Sequence, residues 1–319
     1  VTAPPLVKRS FAALGGAVTI EGAGEDAADA VDRAAEAILD LQRRLTRFEP
    51  DSELSRLNAD SRRAVPGSPV MQRFAGMVGY AGHLSNGLVD ATCLDAVERA
   101  GYTRSLGSDP VSSEVSELAT DSTRPPVGPA GPDPARNWMS VLVDRSWGTV
   151  VRPPGVRLDS GGIGKGMAAD IAAEALEHLD SYAVSCVGDL RFGGTAGLLR
   201  EIQVEAPAVG SASVATLSLT RSAVATSGVT RRSWIDSDGR LAHHLIDPRS
   251  GRPAFTGVLQ VTAVAPTGVE AEVRAKSALL SGPKEATGWL VHGGVMVQQD
   301  GEVVEVPARE GAESTGAIV

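Results

Sequence analysis

The chain has 319 residues, 42% of them hydrophobic, with 30 Lys and Arg against 39 Asp and Glu for a formal net charge of −9. That length and composition can bury a core in one large domain or two medium ones. The acidic balance argues against broad nucleic-acid binding, which needs clustered cations, and no apolar run approaches the roughly 18 residues of a membrane span.

In chain order, residues 10–24 read as an extended opening segment with a glycine kink. Residues 26–48 place Val31, Ala34, Ile38, Leu41 and Leu45 at three-to-four spacing, which predicts an amphipathic helix. Its acidic residues come early and its arginines late, as the helix dipole favours. A second helix is predicted over 68–85, closed by Asn86-Gly87, and a third over 90–101. The run 123–136, TRPPVGPAGPDPAR, reads as a surface loop. The wider segment 103–137 is open between a lid and a spacer. A hairpin is expected over 139–153 and a helix from about 165 to 180. Residues 182–194 read as one buried strand ending in a turn. Further strands are expected near 200–206, 213–219, 258–265 and 293–306, with a last helix over 268–281. Helices and strands mix without strict βαβ alternation, so the fold class is α+β. Cys93 and Cys186 lie in neither a CxxC nor a zinc spacing and read as buried free thiols.

Two stretches carry chemistry. The first, RLDSGGIGKGMAADIAAEAL at 157–176, sets four glycines and Lys165 ahead of a helix-like pattern. It fits neither the Rossmann nor the P-loop spacing. A helix start lined by glycine still suits a phosphate, through free N–H groups, the dipole and the lysine charge. A tight strand-to-helix turn with a surface lysine is the plainer reading. The second is AVATSGVTRRSWIDSDGRLAHHLIDPRSGRPA at 223–254, in which Thr226, Ser227 and Gly228 read as a polar turn. A histidine of the His243-His244 pair beside a phosphate could serve as general base. A structural pair on a strand edge is the other reading.

Taken in register, five segments resemble the FAD:protein FMN transferases, the ApbE-type family. These are FEPDSELSRLN (48–58), NGLVDATCLDAVERAGY (86–102), LDSGGIGKGMAAD (158–170), SCVGDLRFGG (185–194) and ATSG…HHLIDPRSGRP. The resemblance implies an α+β, T-fold-like protein, one catalytic domain over 1–319 with two intertwined lobes around an FAD cleft. It implies transfer of FMN from FAD to a Thr or Ser hydroxyl of an acceptor protein, with release of AMP and with magnesium on the diphosphate. It assigns Leu14, Phe48, Leu88, Val89, Asp90, Asp159, Lys165, Thr226, Leu245 and Ile246 to the FAD site and His244 to deprotonation of the acceptor. It also assigns the Gly162 carbonyl to the metal.

The resemblance breaks at the metal. Where the family reads A-D-A-x-x-T, this chain reads AEVRAKSALLSG (271–282), so Glu272 and Lys276 stand at the two ligand positions. Glu keeps a hard oxygen; a lysine ammonium repels a cation. Lys276 then either places its charge near the diphosphate as a third catalytic group beside His244 and Lys165, or forms an ordinary i,i+4 pair with Glu272. The two are compatible if the pair faces the cleft. Magnesium binding is therefore doubtful. Gly16 for a family Thr and Thr230 for a family aromatic are milder departures. The functional expectation is a flavin transferase with an altered metal site. The alternatives are an FAD-binding protein without turnover and a slow FAD pyrophosphatase. Localisation is open between the cytoplasm and the outer side of the membrane, the latter if a leader preceded Val1.

Overall fold

The structure, a computed structural model, describes residues 5–105, 112–207, 212–312 and 316–318. Its centre is an eight-stranded sheet. In spatial order the strands are Val7–Ala13, Gly16–Ala23, Ser181–Cys186, Asp189–Gly193, Ser222–Gly228, Val258–Ala265, His292–Gln298 and Val303–Ala308. Every neighbouring pair is antiparallel. Three helices, Ala27–Leu45, Gly164–Glu174 and Gly268–Ser281, lie along one face, each packed on the next. A smaller sheet of Arg200–Glu205, Ser213–Leu219 and Gly316–Ile318 stands apart from the main one. Its Val204, Leu217 and Leu219 pack with Phe192, Val224 and Val264 of the central strands. The α+β class read from the sequence holds.

The helix Ala27–Leu45 buries Val31, Ala34, Ile38, Leu41 and Leu45, the same stripe its spacing predicts. The helix Gly164–Glu174 meets Gly268–Ser281 with almost no separation. A Cβ on Gly166 would lie 2.4 Å from the carbonyl oxygen of Gly268. Asp170 caps the second helix from the first, accepting from Gly268 N–H at 2.6 Å and Val269 N–H at 3.0 Å. Gly166 is thus a packing glycine, not a phosphate-facing one.

Several sequence expectations are corrected. Residues 10–24 form two strands, turning at Leu14-Gly15 with φ of 56° and 78°, the paired positive φ of a tight hairpin. The single strand expected over 182–194 is also a hairpin, reversing at Val187 and Gly188 with φ of 54° and 91°. Residues 293–306 divide likewise into two paired strands. Thr226–Gly228, read as a turn, lie inside a central strand, where Thr226 bonds Thr262 hydroxyl to hydroxyl at 2.8 Å. The third helix is shorter, Leu94–Arg99, and the helix Pro283–Trp289 was not anticipated. Within 103–137 a helix spans Ser113–Thr120, the proline-glycine run is irregular as expected, and residues 106–111 lie outside the described residues. Cys186 is a buried free thiol; Cys93 is free but partly exposed.

Candidate functional site: a cationic cleft with a neutral histidine

A cavity of about 400 Å³ opens where two apolar cores meet, within the size range of small-molecule sites. Leu41, Leu45 and Val89 line it from one core, Leu88, Leu245 and Leu280 from the other. The side chains and turns around it come from segments far apart in the sequence.

The segment Leu88–Asp90 hangs from Ser85, whose hydroxyl donates to Ala81 O at 2.6 Å and accepts from Val89 N–H at 2.9 Å. Asp90 closes a turn by accepting from Thr92 N–H and Oγ1 at 2.8 and 2.6 Å. Burial raises its carboxyl above the ordinary range, against those two bonds. Facing it, the glycine turn 159–164 is clamped by Asn58. The Asn58 amide donates to Leu158 O and accepts from Leu158 N–H, both at 2.8 Å. The PDSELSRLN motif is therefore scaffolding. Ser52 caps its helix, Glu53 accepts from Ser68, and Asn58 holds the glycine turn in place.

Phe48 lies beside Tyr102 with ring centroids 5.7 Å apart, and the Arg47 guanidinium sits 4.3 Å from the Phe48 centroid and 4.7 Å from that of Tyr102. Arg47 also reaches Asp159 at 3.3 Å. Burial lifts the Asp159 carboxyl, and Arg47 opposes that. This aromatic wall with a stacked cation suits a planar ring system. Leu14 completes the flank, its N–H held by Gln42 Oε1 at 2.6 Å.

The basic groups converge below the wall. Lys165, in the first turn of its helix, pairs with Asp189 Oδ2 at 2.6 Å. Burial disfavours its ammonium, but Asp189 and Glu272 outweigh that and hold its pKa above the ordinary value. Asp189 is steadied by Thr226 N–H at 3.1 Å. Lys276 lines the same cavity and pairs with Glu272 Oε1 at 2.8 Å. Arg232 lines it too, beside Gly15.

The two histidines sit in different surroundings. His243 is fully buried against Phe255, accepts from Leu245 N–H at 3.2 Å, and is pushed by burial down to about 4. His244, partly exposed, lines the cavity. Burial, then the positive charges of Arg232, Lys276 and Lys165, hold it well below the ordinary imidazole value. It is neutral at pH 7, with a lone pair to accept a proton.

Of the residues assigned from sequence, Leu14, Phe48, Leu88, Val89, Asp90, Asp159, Gly162, Lys165, His244, Leu245, Ile246 and Lys276 all border the one cavity. Thr226 does not; it sits one layer behind, supporting Asp189. Glu272 does not border it either. Arg47, Tyr102 and Arg232 were missed, since no spacing rule singles out an arginine beside an aromatic or in a double-arginine run.

The expected magnesium site does not fit these residues. Both Glu272 oxygens are engaged, Oε1 by Lys276 and Oε2 by Gly166 N–H at 2.9 Å. A cation placed there would face the Lys276 ammonium. Among the described residues no cluster of three or more His, Cys, Asp or Glu could hold a metal ion.

Side-chain cations and a neutral imidazole thus share one cavity with an aromatic wall. The sequence profile of the ApbE family matches residues 14–297, and the chain belongs to that family. A FAD:protein FMN transferase of Klebsiella pneumoniae is 27% identical over 307 residues, 92% of this chain and 81% of that protein. One from Escherichia coli is 29% identical over 163 residues, 50% of this chain but only 44% of that protein's length. Among solved structures, the ApbE protein of Thermotoga maritima superposes with a TM-score of 0.74 at 23% identity, covering 95% of this chain and 97% of that one. The flavinyl transferase ApbE of Pseudomonas stutzeri gives 0.74 at 20% identity, covering 96% of each. At these identities the likeness establishes the fold.

Proposed function

We propose that the protein is a FAD:protein FMN transferase that uses FAD as substrate and a Thr or Ser hydroxyl of an acceptor protein as nucleophile. The observation that carries this reading is the position of His244. It is a neutral imidazole on the wall of the cavity that also receives Lys165, Lys276 and the glycine turn. The curated relatives named for this activity support it.

In this reading the flavin ring lies against Phe48 and Tyr102, and the diphosphate reaches the lysines. His244 takes the proton of the acceptor hydroxyl. The freed oxygen attacks the flavin-side phosphorus, and the bond from that phosphorus to the bridging oxygen breaks. AMP leaves with the bonding electron pair, and FMN stays on the acceptor as a phosphoester. Lys165 and Lys276 offset the negative charge that spreads over the phosphoryl oxygens. Their carboxylate partners hold both ammoniums in position beforehand, which lowers the reorganisation needed during the reaction.

The test is incubation of the chain with FAD and an acceptor protein, followed by in-gel flavin fluorescence and AMP measurement. Labelled acceptor with equimolar AMP is the expected result. AMP without label would replace transfer by hydrolysis. Retained FAD with neither product would leave only binding.

A further inference from the structure

Three carboxylates on or just behind the cavity wall are already paired, while Asp90 on the wall keeps Oδ2 without a hydrogen-bond partner. Asp159 faces Arg47 at 3.3 Å, Asp189 holds Lys165 and Thr226 N–H, and Glu272 holds Lys276 and Gly166 N–H. Each pairing is close to neutral. Arg232 is different. Its backbone oxygen accepts from His244 N–H at 3.3 Å, which fixes it beside the histidine. Its guanidinium lines the cavity yet makes no hydrogen bond or ion pair among the described residues. It faces Asp159, Lys165 and His244 only through longer-range electrostatics.

The Lys276–Glu272 pair is also unusual for an i,i+4 pair. Such pairs normally lie on exposed helix faces and contribute a few tenths of a kcal/mol. Here the side chains are 10% and 1% exposed, where desolvation opposes the pairing. A buried pair of this kind gains a rationale if an anion joins the ammonium on its open side. An arginine fork meets phosphate oxygens in two places at once, and a lysine meets them as a point charge.

We infer that this cleft binds the diphosphate of its substrate on Arg232 and Lys276, with Lys165 beside them, and takes no divalent cation. This rests on the reading of FAD as substrate. The two monovalent side chains supply the charge that a bound metal would bring, and they do so permanently.

The test titrates the intact chain with FAD, following flavin fluorescence, once in EDTA and once in excess magnesium. The same Kd in both is expected, and elemental analysis of the FAD-loaded, desalted protein should find no metal in proportion to flavin. Arg232→Gln should weaken FAD by about tenfold or more in both buffers, as loss of a charge-assisted bond implies, and Arg232→Lys should recover part of it. The double variant Glu272→Asp, Lys276→Thr should bind FAD more tightly with magnesium than with EDTA. FAD binding only with magnesium, or one metal per flavin, overturns the inference and leaves the flavin reading standing. Unchanged affinity in a folded Arg232→Gln removes Arg232 from the phosphate site. No FAD binding in either buffer, with the chain folded by circular dichroism, overturns the flavin reading and this inference with it.

Discussion

The two lysines of the cleft reach the same cavity by different constructions. Lys165 is held across the fold, from a helix start to Asp189 on a central strand. Lys276 is held within its own helix by Glu272, one turn earlier, and that carboxylate reaches across to the neighbouring helix through Gly166 N–H. The contrast teaches that a charge can be aimed either by the sheet or by one helix turn. The second construction consumes the oxygens that would otherwise be free to ligate a cation.

In the proposed reaction His244 takes the acceptor proton, so its removal should have the largest effect. His244→Ala is expected to lower the rate of FMN transfer by about 10²–10⁴-fold, measured by in-gel fluorescence, while FAD affinity changes little. An equal fall in both would mean the residue binds rather than reacts. Next come the lysines themselves. Lys276→Met strands Glu272, and Lys165→Met strands Asp189. Each should cost about 3 kcal/mol or more in urea unfolding at pH 7. A loss under about 1 kcal/mol for either one would show that water already relieves that pair, and the comparison would fail on that side.

A smaller effect concerns pH. Because His244 is held neutral well below its ordinary value, transfer should stay flat through neutral pH and fall only on the acid side of the usual imidazole range. Removing positive charge with Arg232→Gln should move that acid limb upward towards the ordinary value near 6.5. A limb that stays put would mean that burial and the two lysines set it without Arg232. Smallest is a stability effect at the sheet. A side chain on Gly16 would meet Val187 Cγ1 at 2.6 Å, and Val187 itself sits at φ 54°, an uncomfortable place for a branched residue. Gly16→Thr should destabilise by about 1–3 kcal/mol, and Val187→Gly should recover most of it. A double-mutant cycle with no coupling would break that pairing.

That last pair also shows what the sequence could and could not disclose. The segment ALGG has Gly16 where the resembling pattern has threonine, and the segment SCVGDLRFGG carries Val187 at its turn. Read alone, Gly16 is an unexplained departure. In space, Val187 fills the room that a side chain at Gly16 would need. The same Val187 hid a hairpin. A valine at a turn position reads as more strand, since a bulky branched residue rarely takes positive φ. Thr226-Ser227-Gly228 misled in the other direction, because small polar residues suggest a turn unless a partner such as Thr262 satisfies them inside a sheet.

By contrast, the helix Ala27–Leu45 was legible because periodicity alone determines a buried stripe. Most residues assigned through the resemblance border one cavity, since motif positions carry over one by one. Arg47, Tyr102 and Arg232 were not legible, because their roles depend on contacts between distant segments: Arg47 with Asp159, Tyr102 with Phe48, and Arg232 with the cavity wall.

The near-contact of Gly166 with Gly268 has one more consequence. With no side chains between them, and with Asp170 and Glu272 stitched across the crossing, the helices bearing Lys165 and Lys276 can hardly slide past one another. The cradle should therefore breathe as a single rigid plate, and amide exchange at Gly166 and Val269 should slow or quicken in step.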